Sequence, residues 1–130
     1  MQTDSIHFMQ IEKIISEKNL KLTIARKELL SIFFSANKPL SFEDVKDKLS
    51  MDKATFYRNI SKFEDESILN SFESNDKKRY YEIQNLPHAH FICNDCNSIE
   101  CLDNVKPIKL EGYKIMDMIF KGICKDCNLG

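Results

Sequence analysis

Cys93 and Cys96, answered near the end of the chain by Cys124 and Cys127, make two CxxC pairs out of five cysteines. Four thiolates paired in this way compose a tetrahedral zinc site, closed to water and therefore structural rather than catalytic. Disulfides are the competing use. The odd cysteine count, the paired spacing and a start, Met1–Ser5, without a basic and apolar leader favour reduced thiolates and an expected cytoplasmic location. A metal that joins two such distant segments would staple together a small C-terminal module.

A second group of candidate ligands lies just before the first pair. His88 and His90 alternate along an extended segment, so both rings can point to one face, where Glu82 or Cys101 could complete a site of three or four ligands. Imidazole, carboxylate and thiolate together suit Zn2+, with Fe2+, Co2+ or Ni2+ as further candidates; without the thiolate the site could also take Mn2+. The plainer reading is that the histidines are hinge or surface residues and that Cys101 packs as a small hydrophobe. No nucleophile and base stand together, so no enzyme is expected.

A third set is cationic. Lys53, Thr55, Tyr57, Arg58 and Lys62 fall on one helical stretch whose first half could enter a major groove. Tyr57 offers a hydroxyl and a ring for a thymine methyl, whereas Arg58 and Lys62 suit phosphate oxygens. Lys77, Lys78 and Arg79 form a second basic spot, placed to lie over a minor groove, and Arg26 could hold the backbone from the other flank. Any one of these is equally well an ordinary solvated cation. The formal net charge is −1, so binding to double-stranded DNA must come from a local basic face.

The elements that would position these residues follow from periodicity. With 130 residues and 42% hydrophobic content the chain can bury a modest core, and no apolar run approaches the roughly 18 residues of a membrane span. Phe8, Ile11, Ile14 and Ile15 mark a first helix ending near Asn19. Ala25, Leu29, Ile32 and Phe33 mark a second from Ile24 to Ala36, stopped by Asn37, Lys38 and Pro39. Ser41 with Asp44 reads as the cap of a short helix holding Val45 and Leu49, and Asp52 as the cap of a fourth that turns Thr55 or Phe56, with Ile60, Phe63 and Ile68 beyond its end, inward. The period then changes to that of a β-hairpin around Ser74–Lys78. Helix, short helix, helix and hairpin make a winged helix-turn-helix, predicted over residues 1–84. Pro87 marks the boundary to a module over 85–130, with candidate strands at His90–Cys93, Ile99–Leu102 and Tyr113–Phe120. The class is α+β. One head with few phosphate contacts binds weakly, so the second module is expected to dimerise and the homodimer to read a palindromic operator.

The order of these features resembles the ferric-uptake-regulator (Fur) family of bacterial metal-responsive transcription factors. The resemblance is carried by Leu22–Arg26, Asp52–Ile60, Lys78–Glu82, Pro87–Cys93 and Phe120–Cys127. It implies structural zinc on the four cysteines, a dimerising C-terminal α/β module, and a metal-loaded dimer that represses by covering a promoter palindrome. It also implies a regulatory metal, Zn, Fe or Mn, where the two modules meet. His88, His90 and Glu82 match ligand positions there. Another ligand position falls near Lys38 or Pro39, and an acidic one falls on Cys101, with Glu100 one place early. A further family site is lost, its positions being Pro87, Ala89 and Met116. The family's helix between the second and third strands is expected to be shortened or missing, since only Asp103–Glu111 is available and Pro107 interrupts it. The rival readings are a metal-independent regulator of the same fold, a protein-interaction adaptor, and a redox sensor built on Cys101 or a paired thiolate.

Overall fold

The computed structural model describes every residue except Met1, Asn19, Asn37, 84–88, Asp103, Pro107, Met116 and Gly130, with backbone alone for 2–8 and Gln10. The expected helix end at Asn19, the side chain of Phe8 and the module boundary at residues 84–85 with Pro87 therefore lie outside the described residues.

Helices in the N-terminal part start where a short polar side chain can take an otherwise orphaned amide. After α1 (Gln2–Glu17), Thr23 caps α2 (Ile24–Ser35) by accepting from the Arg26 amide at 3.2 Å. A two-residue strand, β1 (Leu40–Ser41), leads into α3 (Phe42–Val45) and a 3-10 turn at Lys46–Lys48. Ser41 and Asp44 form the reciprocal capping box: the Ser41 amide donates to Asp44 Oδ2 at 2.9 Å, and the Asp44 amide to Ser41 Oγ at 3.3 Å. Asp52 then opens α4 (Lys53–Asp65), its Oδ1 accepting from the Thr55 amide at 2.8 Å. Hydrogen bonding from the Thr55 side chain first, and then from this amide, holds the Asp52 carboxyl below its ordinary pKa.

Two three-stranded sheets follow. In the first, β2 (Leu69–Glu73) and β3 (Arg79–Ile83) form a hairpin closed by the Ser74 amide on the Lys78 carbonyl at 3.0 Å, with Lys77 at φ +65. β1 adds to its free edge through Leu40 opposite Tyr81, giving the order β1-β3-β2. In the second, β4 (Ala89–Cys93) lies between antiparallel β5 (Ile99–Leu102) and parallel β6 (Met118–Gly122). Leu29, Leu30, Phe33, Val45, Phe56, Ile60, Phe63 and Leu69 bury completely or nearly so between the helices and the first sheet, closed by Ile11 and Ile15 of α1. Each such side chain stabilises by about 1.5–3 kcal/mol relative to exposure.

The C-terminal strand departs from expectation. Among the described residues of the predicted Tyr113–Phe120 strand only Met118–Phe120 is extended in the sheet, and the strand runs on to Gly122, because its register is fixed by parallel pairing of Cys93 with Gly122 and not by local alternation. From Ala89 onward the described residues carry three strands and a 3-10 turn at Cys127–Leu129 but no α-helix, so the module is not α/β among them. The stretch expected to hold a shortened or missing helix is irregular at its described positions, with turns at Asn104 and Glu111 and a bend at Val105. Among the described residues no helix is long and apolar enough to cross a membrane.

Candidate metal centres and reading surface

The turn after β4 folds Cys96 back beside Cys93, and the chain leaving β6 delivers Cys124 and Cys127 to the same point. Parallel pairing of β4 with β6 makes this possible, since both strands run toward one end of the sheet. All four sulfurs lie within 4.8 Å of one another, and Cys96 Sγ is 3.9 Å from Cys124 Sγ. Three backbone amides converge on Cys93 Sγ: Asp95 at 3.3 Å, Cys96 at 3.4 Å and Cys124 at 3.4 Å. Led by the Cys96 amide, they lower the Cys93 thiol to about 6. The neighbouring sulfurs, Cys124 first, push Cys127 far up instead. Four thiolates this close repel one another unless a cation sits among them, so the donor chemistry fits a tetrahedral zinc ion.

A second cluster joins the two sheets. Glu82 of β3 faces His90 of β4, whose Nε2 stands 3.0 Å from Oε1 and 3.1 Å from Oε2. Cys101 lies opposite His90 across the β4–β5 ladder and so shares its face. One ligand atom from each of the three falls within a 4.8 Å set. His90 is 3% exposed, and the Phe72 ring packs 5.2 Å from its own. Glu100 is next to Cys101 on β5 and therefore points to the other face, where it is exposed and outside the cluster. His88 lies outside the described residues, as does Met116. Lys38 is exposed and Pro39 buried between α2 and β1. Two further hydrogen bonds cross the seam: Asn70 Nδ2 donates to Asp117 Oδ1 at 2.8 Å, and Asn75 Nδ2 to Asn94 Oδ1 at 2.9 Å.

α4 buries Phe56, Ile60 and Phe63 and leaves Lys53, Tyr57, Arg58 and Lys62 exposed, as a 3.6-residue period requires. Thr55 is half-buried and its amide serves the cap. The Lys53 ammonium sits over the Phe42 ring at 5.2 Å and the Tyr57 ring at 6.0 Å, while those two rings stand 5.6 Å apart. Lys62 pairs with Glu66 at 3.7 Å. Lys77, Lys78 and Arg79 are exposed at the hairpin, where Arg79 Nε donates to Ser71 Oγ at 3.2 Å and the Ser71 hydroxyl to Glu64 at 2.9 Å. Tyr80 donates its hydroxyl to Asp76 Oδ2 at 2.9 Å, and burial together with that bond pushes its phenol up to about 12.

Sequence reasoning missed two supporting residues. Phe42 carries the Lys53–Tyr57 platform, and Asn59 accepts from Arg26. Asn59 falls four residues after Thr55, whose carbonyl takes its amide at 3.0 Å; that spacing was the available signal.

Residues 17–128 match the model of the ferric uptake regulator family. A ferric uptake regulation protein of Staphylococcus epidermidis is 32% identical over 135 residues, spanning 88% of this chain and 92% of that protein. The ferric uptake regulator of Helicobacter pylori, described as having three functional metal-binding sites, superposes with a TM-score of 0.68 at 23% identity, covering 96% and 93% of the two chains. A zinc uptake regulator complexed with zinc and DNA superposes with a TM-score of 0.61 at 17% identity, covering 99% and 97%. These two structures share the fold.

Proposed function

The chain belongs to the ferric uptake regulator family, and from that membership we propose that it is a homodimeric, sequence-specific transcriptional regulator, a repressor whose grip on DNA depends on a metal at the seam. Members of the family are regulators, not enzymes. The observation that carries the metal dependence is the approach of Glu82 to His90 at 3.0 Å, because it brings a ligand pair from two different sheets face to face.

In this reading the N-terminal part is a winged helix. Lys53, Tyr57, Arg58 and Lys62 present α4 to the major groove, with Thr55 near its start. Lys77, Lys78 and Arg79 lie along the neighbouring backbone and minor groove. Phe42 supports the ring of Tyr57 and the ammonium of Lys53, so these two reach the groove already oriented. Cys93, Cys96, Cys124 and Cys127 would hold a structural zinc, and Glu82, His90 and Cys101, with His88, a second ion. A divalent cation at either place supplies charge neutralisation and a fixed tie between its ligands. Glu82 and His90 then orient the hairpin sheet against β4, and so set the angle between the two heads of a dimer and the half-site spacing it accepts on a palindrome.

A metal-independent regulator is the second reading. It is favoured by the same Glu82–His90 contact, which can hold the seam by itself. Metal analysis of the full chain beside His90→Ala and His88→Ala, with DNA binding followed during Zn2+, Fe2+ and Mn2+ titration, separates the two. A second equivalent that is lost with the histidines and strengthens DNA binding supports the metal-responsive regulator. One metal per chain throughout, with DNA affinity blind to added metal, leaves the metal-independent one.

A further inference from the structure

We infer that Cys101 makes the seam a thiolate-bearing site that selects Zn2+, or the chemically similar Co2+, over Mn2+ and Fe2+. The inference rests on the seam being a metal site and deepens that reading by naming the class of cation it takes.

Three observations support it. Cys101 is the direct cross-strand partner of His90, so sulfur and imidazole stand on one face of the second sheet, and Glu82 approaches that face from the first. The three donor atoms lie within 4.8 Å of one another. Ligands bound to zinc at its usual N, O and S distances sit about 3.3–3.8 Å apart around a tetrahedron, so small side-chain adjustments suffice. Burial narrows the choice further. His90 is 3% exposed and the Glu82 side chain 14%, with the Phe72 ring closing one side. Such a place offers little room for the waters that would complete a six-coordinate oxygen shell, which is what Mn2+ prefers. Zinc is satisfied by four ligands.

Charge and softness point the same way. Carboxylate and thiolate together carry −2, which one divalent cation neutralises where water is scarce. Thiolate is a soft donor that strengthens binding to zinc far more than to manganese, and manganese and ferrous ions already stand lowest in the general affinity order. With carboxylate and imidazole alone the site would discriminate weakly. Cys101 supplies the discrimination.

The test uses reduced, full-length protein loaded with one equivalent of Zn2+, to which a second metal is added in competition with a chromophoric chelator. Wild type should bind a second equivalent of Zn2+ at least about 100-fold more tightly than Mn2+. A second equivalent of Co2+ should give a sulfur-to-cobalt charge-transfer band. Cys101→Ser should lose that band and weaken Zn2+ by more than about tenfold, with Mn2+ changed by less than about threefold. Cys101→Asp, which keeps three donors without sulfur, should still bind a second equivalent while its Zn2+ over Mn2+ preference shrinks; that retained binding also shows the seam is folded. A cobalt band that persists in Cys101→Ser, or equal preference for the two metals in wild type, overturns the assignment of Cys101 and leaves the seam site standing. No second equivalent of any metal in wild type overturns the seam site itself, and this inference with it.

Discussion

Arg26 on α2 donates from Nε to Oδ1 of Asn59 on α4 across 3.1 Å, and from Nη1 to the Lys21 carbonyl at 2.9 Å. The guanidinium, expected from sequence to reach for DNA, also fixes α4 against α2. Asn59 completes the chain of bonds through the Thr55 carbonyl. Arg26→Ala and Asn59→Ala are each expected to destabilise the fold by about 1 kcal/mol, with a coupling of similar size in a double-mutant cycle followed by urea unfolding. Both should weaken DNA binding by loosening α4. If the clamp is the main role of Arg26, neither change alters the slope of affinity against salt. A slope reduced by about one unit in Arg26→Ala alone would make it a phosphate contact instead.

The exposed cations of α4 have unequal surroundings, and this orders their effects. Arg58→Ala should weaken binding across all DNA sequences and reduce the salt slope by about one. Lys62→Ala should do less, because Glu66 at 3.7 Å already neutralises part of that charge. Phe42→Leu removes no charge but takes away the ring under Lys53 and beside Tyr57. It should therefore lower discrimination between operator and random DNA with the salt slope unchanged. An equal loss on both kinds of DNA would deny the platform any part in reading.

The cap of α4 carries a pH signature. Hydrogen bonding from Thr55 lowers the Asp52 carboxyl below its ordinary value of 3.8, so the folded chain binds this proton less readily than the unfolded one. For a carboxyl shifted down, the extra stability is present above the unfolded pKa and is lost as pH falls through the folded one. The Thr55 amide resonance should therefore titrate with a midpoint below 3.8, and Asp52→Asn should abolish that titration. A midpoint at or above 3.8 would mean that the cap is not formed in solution.

What could be read from sequence was what local chemistry decides. Ser41 with Asp44, Asp52, and the polar turn Ser74–Lys78 each specify their own geometry within a few residues, and the starts of α3 and α4 and the hairpin fall where these signals put them, although α3 ends at Val45 and leaves Leu49 beyond the 3-10 turn. β1 was not legible, because Leu40 and Ser41 become a strand only by pairing with Tyr81 and Tyr80, far along the chain. The last strand was misplaced for the same reason: the pairing of β6 with β4 places it, whereas the apolar residues Tyr113 and Ile115 suggested an earlier start. In the seam, the residues themselves left Glu82 and Cys101 as alternatives, and the family resemblance put Glu100 one place early beside Cys101. Strand register separates them, placing Cys101 with His90 and Glu100 on the opposite face.

The four-cysteine group should decide whether the C-terminal sheet holds together. β4 is tied to the first cysteine turn through the Cys93 amide on the Ser98 carbonyl at 3.0 Å, and to β6 through the Asn94 amide on the Gly122 carbonyl at 2.7 Å. Ile92 is fully buried in β4, but Phe120 and Ile123 around the partner strand are both 43% exposed, so apolar burial at this end is concentrated on β4. In small zinc modules the ion supplies on the order of 10 kcal/mol of folding free energy. Stripping metal from reduced protein with a strong chelator, or changing Cys124→Ser, should therefore abolish hydrogen-exchange protection at Ile92, Cys93 and Phe120. Amides of Leu29, Phe33, Phe56 and Ile60, whose core lies among the helices, should stay protected. Dimerisation and operator binding should fail together with the β4–β6 protection. Protection at Ile92 and Cys93 that survives complete removal of the ion would show that the strands pair without it, and the cysteines would then need another role.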